Sequence, residues 1–381
     1  MDTSRAGQPS IDATAQLARL QGFLTLPRET IPRLTVRDAG VLLRSTASRL
    51  GLEFIETSGV TPTFLLLPRG ESAPIATLFG TWHSDPAPHL KAAVDGAERL
   101  ALGATLAAVE AVAAAGALGP PDAPRVALLA SPAAGAGSQG LDQLLREHRS
   151  RLQGNCAFWI RIIPEAPRRR RIFLGSRGRL VVALRGGEAN PYGVRDLIVA
   201  ELKDSAYGPR PLDMELVRKL APDQEDPDEG RLKSALFDPR GDVVIPAVQN
   251  PDRPRAWLTI EIAEAMEPEA VLSRIESLSA GGHADLVERF PWDRANIHHP
   301  AVRSQIELAK MKSEGPEIWP SSPWPSPSGL FTRALGSGLF EWGVPLPPGA
   351  VFRLPKPQEF HSIASEIAEL LMIASSCQEE E

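Results

Sequence analysis

A short apolar run at 75–79 leads into a polar elbow, TLFGTWHSDPAP at 77–88, and an alanine- and leucine-rich stretch at 92–115 follows. This succession constrains the chain more than any other feature. A short apolar run bounded by turn residues reads as a buried strand, and a long apolar run without proline reads as a helix. Strand, polar elbow, helix is how a wound α/β sheet presents side chains at the carboxyl end of a strand. The elbow carries Trp82, His83 and Asp85.

The surrounding chain keeps the same rhythm. Residues 10–22 predict an amphipathic helix with Ile11, Leu17, Leu20 and Phe23 at helical spacing, ended by Pro27 and Pro32. Residues 35–52 predict a second helix, capped by Thr35 with Asp38 three residues on. Strands are expected at 52–55, 63–67 and 75–79, then at 125–130 and 157–163. The helix at 92–115 and a charged one at 141–152 lie between them. Alternation of this kind predicts a mostly parallel sheet with helices on both faces.

The pattern changes after Pro164. Arg168, Arg169, Arg170 and Arg171 form a basic run, expected as a solvated loop at a hinge. Residues 179–185 alternate like a strand wet on one face. Helical 192–204, a charged stretch at 213–230, strands at 242–247 and 256–263, and a helix at 268–278 complete a small α+β unit. From His299 a helical, proline-rich pattern returns, with loops expected at 319–327 and 344–357 and a last helix at 362–375. The expected organisation is one α/β domain from 1–178 and 293–381, interrupted by an inserted unit at 179–292.

A chain of 381 residues suits two such units. A net charge of −6 gives no electrostatic case for nucleic acid or an anionic membrane. Cys156 and Cys377 stand far apart, and neither a disulfide framework nor a zinc knuckle can be built from them. The start lacks a secretory h-region, and the longest apolar run, 100–118, carries Glu110. A cytoplasmic setting is therefore expected, without membrane or nucleic-acid partners.

Taken in order, several segments resemble one known family: LFGTWHSDP, LAAVEAVAAAGAL, RVALLASPAAGAGSQGLDQLLREH, GSRGRLVVALRG, VVIPAV with MEPEAVLSRIES, and HHPAVRSQIELAK. They are similar to the dizinc exopeptidases and amidohydrolases that include aminoacylase, acetylornithine deacetylase, carboxypeptidase G and carnosinase. The resemblance implies a zinc-exopeptidase-like wound-sheet α/β domain with an inserted α+β lid that also serves dimerisation. It also implies two close zinc ions, a carboxylate bridging them and a glutamate acting as general base.

Most of those ligands are missing. Without a gap, Gly80-Thr81-Trp82-His83 lies on the family's Gly-His-aromatic-Asp; a slip of two residues instead offers His83 and Asp85 as a His-x-Asp ligand pair. The bridging aspartate falls near Ala97, with Asp95 and Glu98 out of register. The paired glutamates fall on Ala134 and Gly135, and SPAAGAGSQG holds no carboxylate that could take a proton from water. Arg161 occupies the place of a further aspartate, and His361 matches the late histidine. The lid's histidine has no counterpart in 187–193.

His83, Asp85 and His361 are thus the candidate metal ligands, with zinc the one cofactor left open. Trp82, Arg161 and Trp324 are the candidate pocket residues, and no catalytic residue is assigned. Gly137-Ser138-Gln139-Gly140 lacks the first glycine of a nucleophile elbow and reads as a helix-capping turn. His298 and His299 read as a pair at a helix start. The aromatic stretch 319–329, with Trp342, either fills the ancestral cleft or lines an altered one.

Three readings follow. The chain binds a peptide or amino-acid-like ligand, or pairs with itself or an active paralogue through the lid. Alternatively, it is a metal-dependent amidohydrolase or dipeptidase with a rearranged site. A third reading recruits the fold to non-hydrolytic biosynthetic chemistry.

Overall fold

The computed structural model describes residues 9–25, 32–58, 62–70, 73–82, 91–121, 124–131, 139–153, 156–163, 169–205, 211–222, 224, 238–246, 254–262, 266–322, 324–346 and 353–378. Helix α1 (Ala13–Leu24) starts at Asp12, whose side chain accepts from the Ala15 N–H. This cap satisfies a donor that the first turn leaves free. Helix α2 (Pro32–Arg49) starts at a proline, which is suited to the first helical position because it has no N–H to satisfy. Thr35 is therefore inside the helix and does not cap it. Strands β1 (Glu53–Glu56), β2 (Phe64–Leu67) and β3 (Ala76–Thr81) lead to α3 (Lys91–Ala114). Then come β4 (Val126–Ser131), α4 (Gln139–Glu147), α5 (Arg149–Leu152) and β5 (Cys156–Ile163).

Two strands follow that the sequence does not announce, β6 (Arg170–Phe173) and β7 (Gly175–Ser176). Arg170 belongs to β6 and is buried, with its guanidinium on Glu366 at 2.8 Å. At that position the expected solvated loop is a sheet strand, because a buried carboxylate partner compensates the charge. Next come β8 (Gly178–Arg185), α6 (Pro191–Ser205), α7 (Pro211–Leu220), β9 (Arg240–Val244), β10 (Ala256–Ile262), α8 (Pro268–Leu278) and β11 (His283–Phe290). The chain returns through β12 (Asp293–Arg294), α9 (Pro300–Lys312), β13 (Pro316–Trp319), α10 (Ser328–Leu335), β14 (Leu339–Pro345) and α11 (Pro357–Gln378).

Helix α11 starts five residues earlier than the sequence pattern suggests. Pro357 opens it, and Glu359 reaches back to the Lys356 N–H at 2.8 Å, half of a capping box.

The large sheet runs β1-β2-β4-β3-β5-β14-β6-β13. Its centre is parallel, with β4, β3, β5 and β14 in register, while β1 and β2 are antiparallel to their neighbours. One face carries the main core, where Leu78, Phe158, Ile160, Phe340 and Trp342 meet residues of α1, α3, α9 and α11. On the other face Phe79, Leu129, Trp159 and Leu339 meet α4 and α10. The alternation of strand residues between two apolar layers is the reason these strands read as unbroken hydrophobic runs.

The second sheet runs β11-β8-β10-β9, all antiparallel, in the β-α-β-β-α-β chain order of a split βαβ unit. Val194 and Ile198 of α6 and Val271 and Ile275 of α8 pack with Val182 and Leu258. Strand β8 has partners on both edges, and Val181 and Ala183 are buried along with Leu180, Val182 and Leu184. With residues of both faces buried, the expected wet face of this strand is absent. Among the described residues no helix is long and apolar enough to cross a membrane.

Candidate functional site

The parallel strands end together. Thr81 pairs with Ser131, Phe79 with Trp159, and Arg161 with Gly343. In open wound sheets, ligands bind outside the carboxyl ends of the strands. Arg161 stands near the end of β5 in the middle of this row.

Its side chain lies against two aromatic rings. The guanidinium lies 4.7 Å from the ring centre of Trp159 and 5.3 Å from that of Trp324. Trp159 is itself supported edge-on by Phe79, which is supported in turn by Phe331. Residues i and i+2 of a strand share a face, so Trp159 lies beneath Arg161 as a direct result of strand geometry. Arg161 Nη1 donates to Glu341 Oε2 at 3.2 Å. Glu341 is almost wholly buried, and burial pushes its carboxyl above the ordinary range. Arg161 and the hydroxyls of Ser322 and Ser326 pull it back in part.

Trp324 sits on a strap, 319–322 and 324–328, fastened to residues 174–177 around β7. Leu174 donates to the Trp319 carbonyl, Ser322 to that of Gly175, and Ser326 to that of Arg177. Trp324 also meets Phe173 edge-on at 6.2 Å. It remains 42% exposed, which leaves part of its ring to solvent.

The structure thus brings Arg161 and Trp324 together and sets Trp82 apart. Trp82 is fully buried, stacked on Phe64 at 5.4 Å, in the core on the opposite face of the sheet from Trp159. Trp342 is also fully buried and donates through Nε1 to Glu366 at 3.1 Å. His361 lies in the second turn of α11, exposed, with Nδ1 donating to the Ile11 carbonyl at 3.2 Å. His299 caps α9, its Nδ1 accepting from the Ala301 N–H, and it stacks on Phe340. His83 and Asp85 lie outside the described residues, as does most of the loop after β4, 132–138.

Sequence reasoning reached Arg161 and Trp324 but missed Trp159, Glu341, Ser322 and Ser326. Trp159 carried a signal, its spacing of two from Arg161. Glu341 carried none, since it comes from a strand 180 positions away.

A dizinc centre needs a histidine and a carboxylate on each ion and a bridging carboxylate. Among the described residues no three His, Cys, Asp or Glu side chains gather to hold a metal. At the end of β5 a fixed cation stands instead. The described donors do not fit a pair of dications.

No family model matches the sequence, and no curated protein aligns with it significantly. Solved structures do. A metallo-carboxypeptidase of the M20 family from Sulfolobus solfataricus, 17% identical, superposes with a TM-score of 0.61 over 93% of this chain and 99% of its own. Human carnosine dipeptidase 1, 11% identical, gives 0.62 over 96% and 97%. The dipeptidase Dug1p from Saccharomyces cerevisiae, 14% identical, gives 0.60 over 95% and 96%. At these identities the likeness is one of fold, and nearly the whole of each chain takes part in it. The chain therefore carries the two-part M20 metallopeptidase fold, a zinc-exopeptidase-like α/β domain with an inserted α+β unit.

Proposed function

We propose that this chain works by binding a peptide or amino-acid-like ligand, and that it has lost dizinc hydrolysis. One observation carries the reading. At the end of β5 the resemblance calls for a carboxylate, and Arg161 stands there, paired to buried Glu341 and lying against Trp159 and Trp324. A guanidinium so placed repels a dication. The absence of any carboxylate from SPAAGAGSQG removes the proton acceptor that amide hydrolysis would use. Metal analysis of the purified protein, with hydrolysis of acylated amino acids and dipeptides, tests this. The expected result is no stoichiometric zinc and no turnover; robust zinc-dependent turnover refutes it.

A second reading keeps a rearranged metal site on His83, Asp85 and His361. The Nδ1–H bond from His361 to a backbone carbonyl favours it, since that bond leaves Nε2 as the lone-pair nitrogen, the usual arrangement of a metal-bound histidine. Under it, His361→Ala removes both metal and activity, and unchanged activity excludes the site.

Pairing through the inserted unit is part of the proposal. Tyr192 and Leu197 on α6 and Ile245 beyond β9 are exposed apolar residues of the inserted unit. Light scattering of the wild type and of Leu197→Asp reads the subunit count; a monomeric wild type rules the pairing out.

A further inference from the structure

Arg161 lies against two tryptophan rings and donates from one nitrogen, yet its side chain keeps 29% of its surface exposed. A guanidinium carries five N–H donors in one plane, and among the described residues Glu341 takes one of them. The ring centres of Trp159 and Trp324 lie 4.7 and 5.3 Å from the central carbon of the guanidinium, and the donors that Glu341 does not take remain for an incoming group. Two neighbouring N–H donors of a guanidinium are parallel, the geometry a carboxylate accepts in bidentate fashion.

Further features point the same way. Thr81 lies level with Arg161 in the row of strand ends, since Phe79 pairs with Trp159 two residues before. Its hydroxyl and Glu341 Oε1 are buried polar atoms without a hydrogen-bond partner among the described residues. Trp324, on the strap, is 42% exposed and lies 5.3 Å from the guanidinium. The number of donors selects the ligand class. One guanidinium with one donor already given to Glu341 can serve the two oxygens of a carboxylate and leaves a phosphate dianion short of donors.

We infer that Arg161 anchors a small monocarboxylate whose flat apolar group rests on Trp324. This deepens the binding reading and rests on it, but a separate experiment decides it. Calorimetric titration of the full-length protein uses phenylacetate and indole-3-acetate, with 2-phenylethanol as the neutral counterpart. None of the three contains an amide bond, so hydrolysis of an amide cannot affect the result. The tripeptide Gly-Gly-Phe, with a free and with an amidated C-terminus, separates a peptide end from a free small acid.

The expected result is saturable binding of at least one carboxylate, none of the alcohol or the amide, a loss of tenfold or more in Arg161→Gln and of threefold or more in Trp324→Ala. Absence of binding by every carboxylate, equal binding of the neutral compounds, or unchanged affinity in Arg161→Gln overturns it. If Arg161→Gln does not fold, Trp324→Ala decides alone: a threefold loss supports the site, and unchanged affinity overturns it. Zinc-dependent turnover with intact carboxylate binding at Arg161 would remove the broader reading and leave this one standing.

Discussion

Arg161 and Glu341 project from neighbouring parallel strands, β5 and β14, and their side chains meet at 3.2 Å although 180 positions separate them. Arg161→Met leaves a buried carboxyl with its cation gone. Breaking such a pair from one side costs about 3 kcal/mol, whereas replacing both members with apolar side chains costs far less. Urea denaturation of Arg161→Met is therefore expected to show that loss, with most of it restored in Arg161→Met/Glu341→Leu. Equal destabilisation of the single and double variants would show that the pair is not coupled.

Glu110 on α3 accepts from Gln16 at 3.0 Å, from Arg19 at 2.6 Å and from Arg49 at 2.6 Å, tying α1 and α2 to the long helix. Burial raises its carboxyl, but these donors outweigh burial and hold it below the ordinary value of 4.5. A depressed folded value means that the stabilisation is complete above the unfolded value and fades as pH falls through the folded one. Glu110→Gln is expected to cost about 2 kcal/mol at neutral pH, in the range of charge-assisted hydrogen bonds. The gap between wild type and variant should narrow below about pH 4.5. A gap independent of pH would contradict this assignment.

Gly178 opens β8 where the chain leaves the large sheet for the small one. A Cβ there would stand 2.5 Å from the Phe290 carbonyl oxygen and 2.7 Å from the Trp292 nitrogen. Both neighbours are backbone, so no side chain can turn away. Gly178→Ala is expected to destabilise by about 3 kcal/mol, the upper part of the overpacking range. Thermal unfolding measures it, and a wild-type midpoint would show that β11 and β12 can separate freely.

Ser328 bridges the strap to the returning chain. Its hydroxyl donates to Asp293 Oδ2 at 2.5 Å and accepts from the Leu339 N–H at 2.8 Å. Ser328→Ala leaves a buried carboxylate oxygen and a backbone donor without these partners, a cost of about 2 kcal/mol. Ser328→Thr should retain part of the loss, since the hydroxyl stays but Gly338 lies close by. A Ser328→Ala variant as stable as wild type would sink the bridge.

The alternation of elements from 10 to 163 was legible because each piece depends on near neighbours. The long helix after the elbow, the strand of Val126 and the strand of Phe158 all declare themselves by local pattern. Strands β6, β13 and β14 were not legible: Arg170 reads as a solvated charge until Glu366 is seen beside it, and Glu341 reads as a break in an apolar run.

By itself the sequence determined the wound architecture, the absence of acidic side chains from 131–140 and the presence of a cation at the end of β5. The tertiary structure decided which groups meet that cation, bringing the rings of Trp159 and Trp324 and the carboxyl of Glu341 against it, and it put Trp82 in the core beyond the sheet. The division has a plain cause. Periodicity and turn chemistry act over a few residues, whereas strand order and side-chain pairing across a sheet arise when distant segments bury their apolar faces together.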